Sequence, residues 1–224
     1  MTLKMKNSVD RKINSDEFEI LCQSEKKLLS HISNVLACHK PQKFIYKKTK
    51  SRPAAVLIPI FFKNNQAHLL FTKRTDYVEH HKGQISFPGG SRDAADRSLQ
   101  ITALRETEEE VGIKTNDVTI LGQTDMFLTN THFLVTPFVG YYSYPYSYTI
   151  NDGEIDRLIE IPLLHFLNDE TFEIKPYQKD GYNWRVHYYY YGDEVVWGVT
   201  GFLLSNFLSI VFGLNRNISE VNPA

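Results

Sequence analysis

The sequence has little of three things that would classify a protein quickly: cysteine, long apolar runs, and charge of one sign. Its 224 residues include two cysteines, Cys22 and Cys38, and neither lies in a C-x-x-C spacing. This argues against a disulfide framework or a cysteine-based metal site, and it is typical of a reducing compartment. No run approaches the roughly 18 apolar residues that a membrane span requires. Residues 1–18 also lack the apolar core of a signal peptide. We therefore expect a cytoplasmic protein that has no membrane partner.

The formal net charge is -1, and this disfavours a general nucleic-acid binder, because such proteins carry a clear basic excess. The charge is unevenly distributed, however. Residues 1–50 hold eleven Lys and Arg against five Asp and Glu, so their balance is +6, and the remainder of the chain is acidic. A solvated N-terminal arm and an arm that contacts an anionic partner both fit this imbalance.

The apolar periodicity predicts an N-terminal helix followed by a mixed domain. Apolar residues recur at three- and four-residue steps from Phe18 to Leu36, which predicts one amphipathic helix over 16–38. That helix packs either on the domain or on a second subunit, so a homodimer is one expectation. We divide the chain into a basic arm with this helix, 1–49, and a main domain, 50–224.

The main domain reads as strands with helices between and after them, which indicates the α/β (α+β) class. Two strands joined by a polar turn predict a hairpin over 54–74, and a second hairpin should turn at Gly192-Asp193. Helices are expected over 98–111, ended by Gly112, and in the apolar segment near the C-terminus. The tyrosine-rich residues 141–148 read as an aromatic loop.

The helix over 98–111 carries a concentration of carboxylates. On a helical wheel, Ile101, Leu104 and Val111 form the stripe expected to meet the core. Glu106, Glu109 and Glu110 have i, i+3, i+4 spacing and should share the opposite face, where Arg105 can brace Glu109.

Like charges at i, i+4 destabilise a helix by roughly 0.2–0.5 kcal/mol per pair, so this arrangement needs a reason. One reading is an ordinary solvated acidic face. The other is a divalent cation, because Mg²⁺ prefers oxygen ligands and bridges carboxylates to substrate phosphates. The preceding Phe87-Pro88-Gly89-Gly90 favours the second reading, since adjacent glycines allow positive φ and a close approach of the backbone.

Together these features resemble the Nudix box, G-x5-E-x7-R-E-U-x-E-E-x-G-U, in which U is a bulky apolar residue. "RETEEEVGI" places six residues in register, and Thr107 occupies the first apolar position; the six are Arg105, Glu106, Glu109, Glu110, Gly112 and Ile113. The front half departs from the pattern. Asp96 stands where the box has Glu, and eight residues rather than seven separate it from Arg105.

The preceding segment "LFTKRTDYVEHHKGQISFPGG" resembles the signature of the coenzyme A pyrophosphatase branch, roughly L-L-T-x-R-[SA]-x3-R-x3-G-x3-F-P-G-G. Eight positions match without a gap: Leu70, Thr72, Arg74, Gly83, Phe87, Pro88, Gly89 and Gly90. Glu79 replaces the second Arg and reverses a charge near the expected ligand. The resemblance covers about residues 50–213.

The resemblance implies a Nudix α/β/α sandwich with a mixed sheet and a Mg²⁺- or Mn²⁺-dependent hydrolase. Such an enzyme splits coenzyme A (CoA) at its diphosphate into 3',5'-ADP and 4'-phosphopantetheine. The metal ligands would be Glu106, Glu109 and Glu110. Proton acceptance would fall to Glu109, Glu110 or Glu154, with Arg105 orienting the glutamates. The expected substrate contacts are Arg74, Lys82, Gly89, Gly90 and Arg92.

Two alternatives follow from the same residues. Glu79 stands where the branch signature has Arg. This difference favours a Nudix hydrolase of another nucleotide diphosphate, such as ADP-ribose, NADH or a dinucleoside polyphosphate. The second alternative is a Nudix-fold sensor without catalysis, against which the intact glutamates argue.

Overall fold

The computed structural model describes residues 15–45, 49–75, 83–179, 182–214, 216 and 222–223. Its helices are α1 (Ser15–Cys22), α2 (Glu25–Cys38), α3 (Leu99–Val111) and α4 (Gly198–Phe212). Short 3-10 turns lie at Thr115–Asp117, Leu163–Leu167 and Asp169–Thr171. None of the helices in these described ranges is both long enough and apolar enough to cross a membrane.

The strands build a large mixed sheet and a small antiparallel one. The large sheet holds β1 (Lys43–Phe44), β2 (Arg52–Lys63), β3 (Gln66–Arg74), β4 (Ile85–Ser86), β5 (Gly89–Ser91), β6 (Thr119–Gln123), β7 (Met126–Leu128), β8 (Phe133–Tyr141) and β9 (Ile155–Pro162). The small sheet holds β10 (Phe172–Lys179), β11 (Tyr182–Tyr191), β12 (Glu194–Trp197) and β13 (Asn222–Pro223). In the large sheet β2 runs parallel to β8 and antiparallel to β3. The predicted mixed sheet is thus confirmed.

Strand β2 shows why the sheet is covered on both faces. Its alternate residues divide between two cores: Ala55 and Leu57 pack with Ala103 of α3, whereas Ile58 and Ile60 belong to the larger core. That larger core also includes buried residues of α1, α2 and α4. Burial on both faces explains the continuous apolar run in this strand. The helices therefore enclose the sheet as the expected α/β/α sandwich.

The two predicted hairpins are confirmed. Strands β2 and β3 are joined at Asn64 and Asn65, whose φ values of 53° and 58° match the left-handed turn that two-residue hairpins favour. Strands β11 and β12 pair around Gly192-Asp193, where Gly192 has a φ of 57°. We predicted no element for β10, which contains Pro176. Strand β10 lies at the edge of its sheet, where a missing N–H is tolerated.

The single helix predicted over 16–38 is wrong: α1 ends at Cys22 and α2 begins after Ser24, whose φ of -129° and ψ of 102° are extended. Both helices contribute buried apolar residues to the larger core of the same chain, among them Phe18, Leu28 and Ile32. Strand β1 also pairs with β7. The helices therefore pack on the domain, and the division of the chain at 49/50 stays a prediction.

We expect Ile32→Ala to destabilise the whole domain, because Ile32 is fully buried in the larger core. Loss of the side chain should lower the free energy of unfolding by about 2–5 kcal/mol. Urea denaturation followed by tryptophan fluorescence measures this change. The matched control is Ile20→Ala, since Ile20 is 56% exposed in α1, and it should change stability by no more than about 0.5 kcal/mol. Equal effects of the two substitutions would show that the helices do not share the core.

Candidate active site

Helix α3 is defined by its two caps. The Ser98 hydroxyl accepts a hydrogen bond from the Ile101 amide at 3.2 Å, and Gly112 ends the helix with a φ of 78°. Between these caps the buried residues are Thr102, Ala103, Leu104, Thr107, Glu110 and Val111. The Thr107 hydroxyl donates to the Ala103 carbonyl at 2.7 Å, so this residue fits a position that the Nudix pattern gives to an apolar side chain.

The predicted faces of α3 need two corrections. Ile101 was expected in the core stripe, but it is 40% exposed. Glu110 was expected on the solvent face, but it is only 5% exposed. The reason is that α3 packs on β2 and β5 through small residues such as Ala103, which turns Ile101 outwards and Glu110 towards Gly89.

Arg105 connects the carboxylates at the start of the site. Its guanidinium donates to Glu109 at 2.8 Å and to Glu106 at 2.9 Å, and Nε and Nη2 donate to the two oxygens of Asp96 at 3.1 and 3.0 Å. It also donates to the Ser91 carbonyl at 3.2 Å. The Arg105 guanidinium therefore pairs with three carboxylates and also binds the backbone at Ser91.

Asp96 is the residue whose importance the sequence left in doubt. It is buried, and besides Arg105 it accepts hydrogen bonds from the Thr102 hydroxyl and the Asp93 amide, both at 2.9 Å. The Arg105 guanidinium holds the pKa of the Asp96 carboxyl well below its usual range. The loop is one residue longer than in the Nudix pattern, yet it still places the Asp96 carboxylate where it binds Arg105. The only sequence signal was the position of Asp96 six residues after Gly90.

Gly89 and Gly90 let the backbone approach the glutamates closely. The Gly89 amide donates to Glu110 Oε2 at 3.2 Å. Gly89 has a φ of 153°, and a Cβ there would lie 2.4 Å from the Ala55 carbonyl oxygen. A Cβ on Gly90 would lie 2.5 Å from the Glu106 carboxylate. A larger residue at Gly89 would therefore displace the backbone of β2, and one at Gly90 would displace the Glu106 carboxylate.

Burial raises the pKa of Glu110 to about 8. The negative charges of Glu106 and Glu154 contribute to this rise, while the Gly89 amide and the Arg74 guanidinium limit it. Burial also raises the pKa of Glu106, against the lowering effect of Arg105. Negative charge on these two carboxyl groups, Glu110 buried and Glu106 partly buried, is therefore incompletely compensated by the protein.

Arg74 and Glu154 close the opposite side of the site. The Arg74 guanidinium lies 3.7 Å from Glu110 Oε1 and 3.6 Å from Glu154 Oε2. The side chain of Glu154 is 50% exposed. The backbone carbonyl of Glu154 accepts a hydrogen bond from the Thr75 amide at 2.9 Å. The fold thus brings Glu154 from the end of a distant loop to the glutamates of α3.

One of the remaining predicted substrate contacts, Arg92, lies directly after β5 in the loop before α3. The Arg92 guanidinium donates twice to the Asp96 carbonyl, at 3.2 and 2.9 Å, and so braces the loop before α3. Lys82 lies outside the described residues, as does Glu79.

The carboxylate oxygens of the site are chemically suited to a divalent cation, although the side chains do not converge on a common point. In the described part of the chain, no three His, Cys, Asp or Glu side chains converge as a ready-made metal site. The oxygens of Glu106, Glu109 and Glu110 are nevertheless the ligand type that Mg²⁺ and Mn²⁺ take. The two partly uncompensated carboxylates are where a positive charge stabilises most.

Comparisons with known proteins identify the family of this chain. The NUDIX domain family model matches residues 51–157. NudL of Yersinia pestis, an uncharacterized Nudix hydrolase, is 38% identical over 159 residues, which is 71% of this chain and 79% of NudL. NudL of Yersinia pseudotuberculosis matches to the same extent. Among solved structures, an Ap4A hydrolase of C. elegans aligns with a TM-score of 0.42 at 18% identity, over 48% of this chain and 78% of that one.

We expect Glu110→Gln to raise the melting temperature of the metal-free protein above pH 8. The raised pKa of Glu110 means that its ionisation opposes folding. The cost is absent below the unfolded value near pH 4.5 and complete above about pH 8, so the stabilising effect should grow across that interval. Each kcal/mol corresponds to about 2–4 °C for a chain of this size. Differential scanning fluorimetry from pH 4 to 9 with EDTA measures it.

Glu108→Gln is the matched control on the same helix. The Thr115 amide and the Lys114 ammonium lower the pKa of Glu108, so its ionised form stabilises the fold. That substitution should lower the melting temperature at neutral pH, and its effect should shrink once the pH falls below the unfolded pKa and be lost as the pH falls through the lower folded pKa. The same sign for both variants would contradict the assigned environments.

Proposed function

The chain belongs to the Nudix hydrolase family, and from this premise we propose that it is a divalent-metal-dependent pyrophosphatase of CoA or its derivatives. Its products would be 3',5'-ADP and 4'-phosphopantetheine. The observation that carries the proposal is the placement of the branch signature. Two parts of that signature, Arg74 and Gly89-Gly90, lie against Glu110 and Glu106.

The proposed metal ligands are Glu106, Glu109 and Glu110, and the ion is Mg²⁺ or Mn²⁺. Such an ion, when bound, neutralises phosphate charge and lowers the pKa of a water molecule. Arg105 acts as an orienting residue, since its guanidinium sets the positions of Glu106 and Glu109. Asp96 supports it from the buried side.

Arg74 is proposed to bind a substrate phosphate, because a guanidinium presents paired donors that match phosphate oxygens. Its contacts to Glu110 and Glu154, at 3.7 and 3.6 Å, are longer than direct hydrogen bonds. Among the residues that the structure describes, Arg74 therefore keeps donors that can bind a ligand. The backbone of Gly89 and Gly90 lines the same cleft. Contacts of Lys82 or Arg92 with the 3'-phosphate stay predictions.

Hydrolysis requires a carboxylate that accepts a proton as water attacks phosphorus and the bridging P–O bond breaks. Three glutamates were candidates. Glu109 is paired with Arg105, and Glu110 is buried and accepts from Gly89. Glu154 is half exposed and lies beside Arg74, so we assign the proton acceptor to Glu154.

We expect CoA to be hydrolysed in preference to dephospho-CoA with Mg²⁺ or Mn²⁺. Chromatographic assay of both substrates under the same conditions measures the ratio and identifies 3',5'-ADP. Equal or reversed preference would show that Glu79 has removed recognition of the 3'-phosphate, and ADP-ribose and NADH would then be assayed. Absence of turnover of every diphosphate would favour the non-catalytic alternative.

We expect Glu109→Gln and Glu110→Gln to lower kcat by at least about 10²-fold while the fold survives, because each removes a negative ligand. Steady-state kinetics over a range of Mg²⁺ concentrations, with circular dichroism for folding, measures this. Glu108→Gln is the control, since its carboxylate points to Thr115 and Lys114 and should leave kcat unchanged. Full activity in both ligand variants would contradict the assignment.

A further inference from the structure

The segment that carries Glu154 is bonded to the end of α3. The Thr149 amide donates to the Val111 carbonyl at 3.1 Å, and the Asn151 amide donates to the Glu110 carbonyl at 3.0 Å. Carbonyls at a helix C-terminus lack partners within the helix, so these bonds satisfy groups that would otherwise be open. A Cβ on Gly112 would lie 2.6 Å from the Thr149 amide nitrogen, so this glycine permits the close approach.

The tyrosines ahead of this segment hold it in place. The Tyr142 and Tyr148 hydroxyls share a hydrogen bond of 2.7 Å, and Tyr142 is fully buried. The Tyr146 hydroxyl donates to Asp117 at 2.7 Å and accepts from the Lys114 amide at 2.9 Å. Residues 141–148, predicted as an aromatic loop, therefore pack as a small core against the end of α3.

Asn151 then reverses the chain and places Glu154. Its carbonyl accepts from the amides of Glu154 and Ile155 at 3.0 and 2.9 Å. Its side-chain Oδ1 accepts from the Gly153 amide at 3.2 Å, which is the turn that Asn and Asp side chains stabilise. The residue bonded to the Glu110 carbonyl thus also holds the amide of Glu154.

The side chains of the two glutamates meet at the other end of this connection. Arg74 lies between their carboxylates, and the Thr75 amide fixes the Glu154 carbonyl. The contacts of the segment to α3 and β3 are made by backbone groups, which many sequences would supply. The Oδ1 atom of Asn151 is the side-chain element that shapes the turn itself.

We propose that Asn151 is a positioning residue for catalysis, which acts by setting the carboxylate of Glu154 beside Glu110. The inference rests on the proposed function, in which Glu154 accepts the proton. It requires an acceptor oxygen at position 151, so Asp should replace Asn and Ala should not. Because Asn151 is exposed, its side chain makes little contribution to the core.

The test is a double-mutant cycle with Asn151→Ala and Glu154→Gln. Asn151→Ala should lower kcat roughly 10- to 100-fold with KM unchanged, since a small displacement of a catalytic group costs rate rather than binding. In the Glu154→Gln background it should have no further effect, because a residue that acts through Glu154 has nothing left to position. Asn151→Asp should restore kcat, and Asp152→Ala, at an exposed neighbour, should leave it unchanged.

Three results would overturn the proposal: wild-type kcat in Asn151→Ala, an equal loss in both backgrounds, or no rescue by Asn151→Asp. The assay uses whichever diphosphate the wild type hydrolyses fastest. A wild type that prefers a diphosphate other than CoA therefore refutes the substrate proposal and leaves this test intact. A wild type that hydrolyses none refutes both.

Discussion

The site depends on one interaction, the multidentate contact between Arg105 and the acids around it. Asp96, Glu106 and Glu109 all lie within hydrogen-bonding distance of this guanidinium. Asp96 is buried, and breaking a buried ion pair by removing one partner costs about 3–5 kcal/mol. Arg105 therefore stabilises a helix face whose like charges would repel. It also fixes the loop after Gly90 in the position that β5 and α3 require.

In this arrangement the negative charge of Glu110 is only partly compensated. Its carboxylate is buried, and one backbone amide and a distant guanidinium stabilise its charge only in part. A group so placed destabilises the metal-free fold at neutral pH, and it is correspondingly suited to a divalent ion. With the metal-binding role proposed for Glu110, stability and function make opposite demands on this one residue, as is common at active sites.

The other half of the site comes from the connection between β8 and β9. Its tyrosines pack beside the end of α3, and Asn151 ties that end to Glu154. The carboxylates at 110 and 154 are far apart in the chain, yet one hydrogen-bonded residue separates their backbones. The tyrosines within residues 141–148 therefore have a structural explanation, because they pack against the end of α3.

Local chemistry in the sequence was sufficient for several elements. Glycine after a periodic run placed the end of α3 at Gly112, and polar turn residues placed both hairpins, since these signals act within a few residues. The spacing of Arg105 and the glutamates likewise put them on neighbouring turns. Local signals did not show the break between α1 and α2, because Gln23 and Ser24 do not interrupt the apolar period.

Contacts between distant segments decided the rest. Periodicity shows that a helix has two faces, but the partner determines which one is buried. The packing of Ala103 on β2 and the hydrogen bond from the Gly89 amide turned Glu110 inwards and left Ile101 in solvent. Strand β10 forms because its backbone pairs with β11, a contact between separate segments of the chain. The sequence by itself determined the acids, their spacing and the Arg that binds them. Tertiary packing alone decided the burial of Glu110 and its meeting with Arg74 and Glu154, because both depend on chain segments that local sequence cannot bring together.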